Sequence, residues 1–303
     1  MSFSDLIKSV SSPFTIGNHR LILNGRATIG PQFHYLCGLF LSVVIAAFLV
    51  IDVFQNRIIS QIIFLVLIKI ELVLLVSVGC AEPGIVPKKD PVTSHPPTSH
   101  PANPPSSIET IINGVKIDRK WCYTCNLYRP SRGKHCALCN CCIDKFGHHC
   151  VWLSNCIGQR NYRKFVFLIS HSLLTSLFIF LSLCLGGGYG GWKAWLLLFA
   201  SFTLSLLFGN LFLYHLKLIL RGATSYEVGK SGAGEANPFS LGDWRVNLNA
   251  FLARPTDPSL VAQILDGETK SSSLGRRYRG GGEDELTTLT TTNEFGVDDP
   301  SIP

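Results

Sequence analysis

The chain has 303 residues, 47% of them hydrophobic, and a positive mean hydropathy of +0.27. Such a composition excludes an ordinary soluble protein of this size. The net charge of +7 does not require nucleic acid, because a basic surface facing anionic lipid or a phosphate-bearing cofactor is the simpler explanation. The lipid bilayer is therefore an expected partner, and nucleic acid is not.

Four apolar runs follow a polar amino-terminal segment, residues 1–32. Each run reaches the length of about 20 residues that a helix needs to cross a bilayer. The runs are Phe33–Phe54, Ile58–Ala81, Phe165–Leu185 and Trp195–Leu220. Four buried helices of a soluble core would need polar stripes at helical spacing, which these runs mostly lack. We therefore assign residues 33–81 and 165–220 to membrane-spanning helices.

The distribution of basic residues predicts the orientation. Residues 82–164 carry twelve Lys and Arg residues, whereas residues 186–194 carry Lys193 alone. Basic loops stay on the cytosolic side, so the central loop and both termini are predicted to be cytosolic. Cysteines in that reducing compartment are expected to bind metal or to act in catalysis rather than to form disulfides.

Two charged residues interrupt the second apolar run, Lys69 and Glu71. Each costs about 2.5–3.5 kcal/mol on insertion scales. Two positions apart on a helix, they point to roughly opposite faces and cannot pair directly. We expect them to face the interior of the bundle or another subunit.

A cysteine-rich block lies in the central loop, after a Pro/Ser/Thr/His linker at residues 90–107 and a predicted hairpin turn at Asn113-Gly114. It contains eight cysteines and three histidines between Cys122 and Cys156. Two Cys-x-x-Cys pairs, each followed by a His and another Cys, suit two tetrahedral structural zinc ions. The spacing allows one site from Cys122, Cys125, His135 and Cys142, and a second from Cys136, Cys139, His149 and Cys156. Spacing alone leaves the partition open.

Three residues of the block are not needed for zinc. Cys150 follows His148, and a neutral imidazole beside a thiol can act as its base. We therefore predict Cys150 as a nucleophile and His148 as its base, with an inert surface thiol as the alternative. Cys141 has no free His beside it and is predicted to be a bystander.

The carboxyl-terminal part divides into two segments. Residues 221–255 mix aromatic and polar residues and are predicted to fold at the cytosolic membrane surface. Residues 256–303 are rich in Ser, Thr, Gly and acidic residues, a composition typical of disorder.

The block resembles the cysteine-rich domain of the DHHC-type protein S-acyltransferases, or palmitoyltransferases. Their pattern is C-x2-C-x9-H-C-x2-C-x2-C-x4-D-H-H-C-x5-C, and this sequence matches every ligand position and every gap. Other segments resemble further family motifs: Asn24-Gly25-Arg26, Glu82-Pro83-Gly84, Gly158–Tyr162, Thr224–Glu227, Asn237–Gly242 and Asn247. The likeness is strongest to the branch of the endoplasmic reticulum and Golgi, some members of which work with an accessory subunit.

The resemblance implies an α-helical polytopic membrane protein with four transmembrane helices. A cytosolic two-zinc domain, at about residues 120–164 of the 82–164 loop, would lie between the second and third helices. Cys150 would take the acyl group from palmitoyl-CoA and pass it to a cytosolic cysteine of a membrane-associated substrate protein, with His148 as base. Trp152 would lie near the mouth of the acyl cavity. The residues expected to meet acyl-CoA are Trp152, Arg160, Arg163 and Lys164, although a positive-inside anchor explains the three cations equally well.

One position departs from the family pattern in a way that bears on activity. Gly147 stands where the family has the Asp that accepts a hydrogen bond from the catalytic His, and Val151 replaces the proline that usually follows the cysteine. We expect an active but attenuated enzyme. A catalytically inactive zinc-membrane scaffold of the same fold is the alternative. A membrane-anchored RING-type ubiquitin ligase is disfavoured, because its ligand spacing differs.

Overall fold

The computed structural model describes residues 15–22, 27–88, 105–186, 191–231, 237–253 and 258–263. The motif at residues 24–26, most of the linker and the tail beyond residue 263 lie outside the described residues. The chain divides into two units, Met1–Leu265 and Asp266–Pro303. All described residues belong to the first unit.

Four long helices are apolar enough to cross a membrane: α1 Phe33–Val53, α2 Ile58–Gly79, α3 Tyr162–Gly186 and α4 Trp192–Leu220. Large apolar side chains such as Phe48, Ile59 and Phe199 point outward, as expected for a surface that contacts lipid. The predicted fold class is confirmed. Helices α3 and α4 each begin three residues before the predicted span, because hydropathy marks the contact with hydrocarbon, whereas backbone hydrogen bonds extend beyond it.

The two intramembrane charges have different surroundings. Glu71 lies in the interior, where its oxygens are 2.7 Å from Nδ1 of His171 and 2.6 Å from the donating hydroxyl of Ser172. Lys69 lies on the exposed face of α2. The prediction of an interior position is therefore right for Glu71, whose polar contacts join α2 to α3 inside the bilayer.

Short antiparallel strands form the parts outside the membrane. Before α1 lie β1 Thr15–Ile16, β2 His19–Ile22 and β3 Ala27–Ile29 in one sheet. Between α2 and α3 lie β4 Ile85–Val86, β5 Ser107–Ile112, β6 Val115–Cys122, β7 Leu127–Tyr128, β8 Lys134–Cys136, β9 Cys141–Ile143, β10 His148–Cys150 and β11 Asn155–Ile157. The sheets of this region are β4-β9-β8, β5-β6-β7 and β10-β11. The predicted turn between β5 and β6 is confirmed: Asn113 and Gly114 have φ of 47° and 76°, as a type I′ turn requires.

Two short helices follow α4, namely α5 Ser225–Ser231 and α6 Trp244–Ala253. Asn247 fastens this segment to the bundle, because its amide donates to the carbonyl of Leu220 at 3.0 Å and accepts from the backbone N–H of Leu241 at 2.9 Å. The last turn of α4 therefore has side-chain partners for its free carbonyls.

The parts outside the membrane contact one another. Asn18 donates from its side chain to the carbonyl of Leu138 and from its backbone to that of Cys139, both at 2.8 Å. Arg132 forms a salt bridge with Glu227 in α5 at 2.6 Å. The segments before α1, between α2 and α3, and after α4 therefore share one side of the bilayer, as an even number of spans between them requires.

Candidate zinc ribbons and thiol site

The first cluster joins the turn after β6 to the hairpin of β8 and β9. Its members are Cys122, Cys125, His135 and Cys142, whose ligand atoms all lie within 4.8 Å of one another. Nδ1 of His135 is 3.4 Å from the Cys125 sulfur, 3.5 Å from that of Cys122 and 3.9 Å from that of Cys142. All three cysteines are buried.

The second cluster joins the β8–β9 hairpin to the β10–β11 hairpin. Its members are Cys136, Cys139, His149 and Cys156, again within 4.8 Å of one another. Nδ1 of His149 lies 3.3–3.7 Å from the three sulfurs. The β8–β9 hairpin supplies His135 and Cys142 to the first cluster, and Cys136 with Cys139 of its turn to the second, so both metals would hold the same short hairpin.

Both donor sets fit zinc. Tetrahedral bonds of about 2.3 Å to sulfur and 2.0–2.1 Å to nitrogen place a sulfur about 3.5 Å from the histidine nitrogen, close to the observed separations. Three thiolates and one imidazole in a buried shell are the usual set for structural zinc. Each cluster can therefore hold one zinc ion, with no position left open for a substrate.

Strand β10 presents its side chains to two different surfaces. Successive residues of a strand point to opposite faces, so His149 faces the second cluster, while His148 and Cys150 share the other face. The pairing of His149 with Cys156 across β10 and β11 brings two zinc ligands together. Cys150 packs against the bundle, in a cluster that includes Leu168 and Ile169 of α3.

The environment of Cys150 and His148 is apolar. The ring centroid of His148 lies 5.4 Å from that of Phe165 and 6.4 Å from that of His215. Burial lowers the pKa of His148, and the nearby His149 lowers it further. Burial also raises the pKa of Cys150, although backbone N–H groups of Leu153 and Trp152 oppose this. At neutral pH the pair is therefore a neutral imidazole and a thiol.

Gly147 borders a cavity next to this pair. A Cβ atom at Gly147 would lie 3.2 Å from the Ile157 carbonyl oxygen and 3.2 Å from the hydroxyl oxygen of Ser225. The cavity measures about 290 Å³. Asp144, the nearest carboxylate in sequence, accepts a hydrogen bond from the backbone of Lys145. Among the described residues, no carboxylate forms a hydrogen bond with His148.

Two of the four residues predicted to meet acyl-CoA lie together, and the other two lie apart from them. Arg160 and Arg163 line the cavity beside Gly147. Arg160 is also paired with the buried Glu82 at 2.6 Å. Trp152 is 66% exposed on the turn after β10, and Lys164 is exposed on the first turn of α3. Their role in binding acyl-CoA stays a prediction.

Several residues to which the sequence analysis assigned no role lie in or near this region. Arg132 and Lys145 line the cavity with the two arginines, and the carboxylate of Glu227 holds Arg132 while accepting the backbone N–H of Thr224. His19 of β2 is fully buried beside the second cluster. The Thr-x-x-Glu spacing, which is typical of a capping box, could have indicated the role of Glu227. No local sequence pattern indicates that His19 is buried.

His19 makes the stability of this region dependent on pH. Both of its ring nitrogens are buried without a hydrogen-bond partner. Burial lowers its pKa from 6.5 to about 4, and His149 contributes in the same direction. The unfolded chain therefore binds a proton between these values that the folded chain does not, so stability falls as pH drops from about 6.5 towards 4.

We expect His19→Leu to remove roughly 2 kcal/mol of the destabilisation that the protein suffers between pH 7 and pH 5. Melting temperatures of the purified protein in detergent, measured at both pH values, report this difference. His34→Leu, at an exposed position of α1, is the matched control and should keep the pH response of the unmodified chain. An equal response in all three proteins would contradict the assignment to His19.

Comparison with known proteins agrees with this architecture. Residues 115–231 match the family model described as DHHC palmitoyltransferase. Protein S-acyltransferase 8 of Arabidopsis thaliana is 32% identical, over 54% of this chain and 46% of that protein. Palmitoyltransferase ZDHHC8 of Drosophila melanogaster is 37% identical, over 59% and 20%. Palmitoyltransferase erf2 of Aspergillus fumigatus is 28% identical, over 65% and 38%. The chain thus spans less than half the length of each of these relatives.

The four membrane helices and the two zinc clusters define a multi-pass membrane protein with a structural zinc domain. We call the strands β6–β11 that hold the two clusters the zinc ribbons. The matched part of the chain, residues 115–231, is similar to the domain of the DHHC palmitoyltransferases.

Proposed function

We propose that the chain is a protein S-acyltransferase, which moves a palmitoyl group from palmitoyl-CoA to a cysteine of a membrane-associated protein. The position of Cys150 carries this proposal. Cys150 lies outside both zinc clusters, shares a strand face with His148 and packs against the end of the helix bundle. A thiol and a base are thereby held at the boundary where a membrane-embedded acyl chain and its thioester meet.

The reaction proceeds in two balanced steps. His148 takes the proton of Cys150, and the thiolate attacks the thioester carbonyl of acyl-CoA. The carbon–sulfur bond to CoA breaks, and the CoA sulfur leaves with the proton from His148. A substrate thiol then gives its proton to His148 and attacks the acyl-Cys150 thioester. The bond between the acyl carbon and the Cys150 sulfur breaks, and His148 gives its proton to that sulfur, which returns Cys150 to its thiol form. The lowered pKa of His148 supports its role, because a base must begin the cycle unprotonated.

The acyl chain would lie among the apolar side chains that pack next to Cys150. The cluster around Cys150 takes one leucine or more from every spanning helix: Leu36 of α1, Leu75 of α2, Leu168 of α3 and Leu211 of α4. A chain entering between these side chains would bury its methylene groups at about 0.8 kcal/mol each. Trp152, exposed on the adjacent turn, would mark the place where the chain enters.

The polar part of acyl-CoA would lie in the cavity beside Gly147. Arg132, Lys145, Arg160 and Arg163 line it, and guanidinium groups suit phosphates because they bind two oxygens at once. Glu227 and Glu82 neutralise two of the four cations, which leaves an excess of positive charge. Lys164, on the solvent side of α3, would attract the phosphates from a distance.

The side of the membrane that carries the zinc ribbons would be cytosolic. The twelve basic residues of the central loop, against Lys193 alone in the loop of residues 186–194, support this orientation. The acyl-CoA pool and the cysteines of substrate proteins would then meet the site from the cytosol. We place the protein in the endoplasmic reticulum or Golgi, working with or without an accessory subunit, on the resemblance to that branch.

A catalytically inactive scaffold of the same fold is the second candidate. It is favoured by one observation, Gly147, which leaves His148 without the carboxylate that orients it in the family. Both candidates keep the zinc ribbons and the four helices, so removal of zinc does not separate them. Only covalent chemistry at Cys150 does.

Labelling with a clickable palmitate analogue tests the proposal. The full-length protein should acquire label that hydroxylamine removes, because the linkage is a thioester. Cys150→Ser should lose all of it, whereas Cys184→Ser, at an exposed cysteine of α3, should keep it. Label on the unmodified protein no higher than on Cys150→Ser would establish the scaffold instead.

A further inference from the structure

We propose that Gln32, the residue just before α1, is a positioning residue for the second zinc cluster. Its side chain fixes the ring of His149 and its backbone holds the turn that follows Cys150. The beginning of the first membrane helix would thereby determine how firmly one of the two zinc ions is bound.

The contact to His149 defines which ring nitrogen carries the proton. Nδ1 of His149 faces the sulfurs of its cluster at 3.3–3.7 Å, so Nδ1 must present its lone pair to a metal. A neutral imidazole has one acceptor and one donor nitrogen, which leaves the proton on Nε2. Nε2 lies 3.2 Å from Oε1 of Gln32. A hydrogen bond from the outer nitrogen of a metal-bound histidine fixes the ring and makes it a stronger ligand.

The same residue also holds the turn between β10 and β11. The backbone N–H of Gln32 donates to the hydroxyl oxygen of Ser154 at 2.8 Å, and Ser154 is fully buried with φ of 52°. Two residues earlier, a Cβ at Gly30 would lie 1.5 Å from the Ser154 carbonyl oxygen, so only glycine permits this approach. Residues 30–32 therefore enclose the turn that directly follows Cys150.

The first cluster provides an internal reference. Nδ1 of His135 faces its three sulfurs just as His149 does. Within the described ranges, however, no protein acceptor lies on the other nitrogen of His135, and its side chain is partly exposed. The two zinc sites thus have the same donor set and differ in the outer contact. A change at Gln32 should affect one zinc ion and leave the other unaltered.

Zinc release from the full-length protein in detergent tests the proposal. With a chromophoric chelator in excess, Gln32→Met, which keeps the length and the backbone donor but removes the acceptor, should release one of two zinc equivalents about tenfold faster or more. The other equivalent should leave at the unchanged rate. Gln32→Glu keeps an acceptor and should behave like the unmodified chain. Gln55→Met, at an exposed glutamine near the opposite end of α1, is the matched control.

Several results would overturn the proposal. They are unchanged release in Gln32→Met, equal acceleration of both equivalents, or release from Gln32→Glu as fast as from Gln32→Met. If Gln32→Met does not fold, Gln32→Asn, whose carboxamide is one methylene too short to reach His149, gives the same comparison. Palmitate labelling of Cys150 should fall together with zinc retention in Gln32→Met. That second readout rests on the proposed acyltransferase activity, whereas zinc release does not.

Discussion

Replacing Cys139 by serine should abolish zinc binding at the second cluster and unfold the ribbons around it. Cys139 is fully buried, with its sulfur 3.3 Å from Nδ1 of His149 and 3.4 Å from the sulfur of Cys156. A hydroxyl is a far weaker zinc ligand than a thiolate, and structural zinc contributes about 10–16 kcal/mol of apparent binding free energy to small zinc modules. The loss should therefore exceed the stability of the module itself.

Elemental analysis of the purified variant should find one equivalent of zinc instead of two, and palmitate labelling of Cys150 should disappear. Cys141→Ser is the matched control: Cys141 is equally buried but belongs to neither cluster. Burial raises the pKa of the Cys141 thiol, and the nearby cysteines raise it further, so this residue supplies no thiolate. Cys141→Ser should keep two equivalents. Two equivalents in Cys139→Ser would contradict the assignment of the cluster.

Gly147→Asp should raise the rate of Cys150 acylation by about tenfold or more. In serine proteases, a carboxylate that orients the catalytic histidine raises the rate by about 10⁴. The expected gain is smaller here because a thiol needs less assistance than a hydroxyl. The new carboxylate would border the cavity beside Gly147. Its Cβ would meet the Ile157 carbonyl and the Ser225 hydroxyl at 3.2 Å, which requires those atoms to move by a few tenths of an ångström. The Ser225 hydroxyl could then donate to the carboxylate.

Gly147→Asn separates charge from shape, because it fills the same space without a negative charge. It should give little of the gain. The measurement is the initial rate of hydroxylamine-sensitive labelling at equal protein concentration, with Cys150→Ser as background. An unchanged rate in Gly147→Asp, with zinc content and melting temperature preserved, would show that glycine at this position is no handicap.

The parts of this fold that could be predicted are those with a strong local signal. Apolar runs of about 20 residues identified the four helices, and ligand spacing identified two zinc clusters, because both signals arise within a short stretch of chain. The turn at Asn113-Gly114 was predictable for the same reason. The first residues of α3 and α4 could not be predicted from hydropathy. In α3, for example, Arg163 and Lys164 are helical but lie outside the apolar run.

The contacts between distant segments could not be predicted. Residues 1–32 were expected to be a polar lead-in, yet β1–β3 form a sheet within this stretch, and Asn18, His19 and Gln32 contact or lie beside the second cluster. Strands of two to four residues are too short for an alternating pattern to be recognised. The hydrogen-bond partners of Asn18 and Gln32 lie about 120 positions further along the chain. No sequence periodicity reports contacts at such a separation. For the same reason, Arg132 could not be assigned to Glu227 before the structure was known.

The contact of the β1–β3 sheet and Gln32 with the region of the second cluster has a consequence for biogenesis. Asn18 and Gln32 leave the ribosome before their partners Leu138 and Ser154, which lie 120 and 122 positions further along the chain. At about 5–20 residues per second, the early strands wait roughly 6–25 s for their binding surface. During this interval two membrane helices are synthesised, while Asn18 and Gln32 remain exposed without the residues that they contact in the folded protein. Zinc delivered to the nascent chain would end that exposure, so metal supply during translation should set the yield of correctly assembled protein.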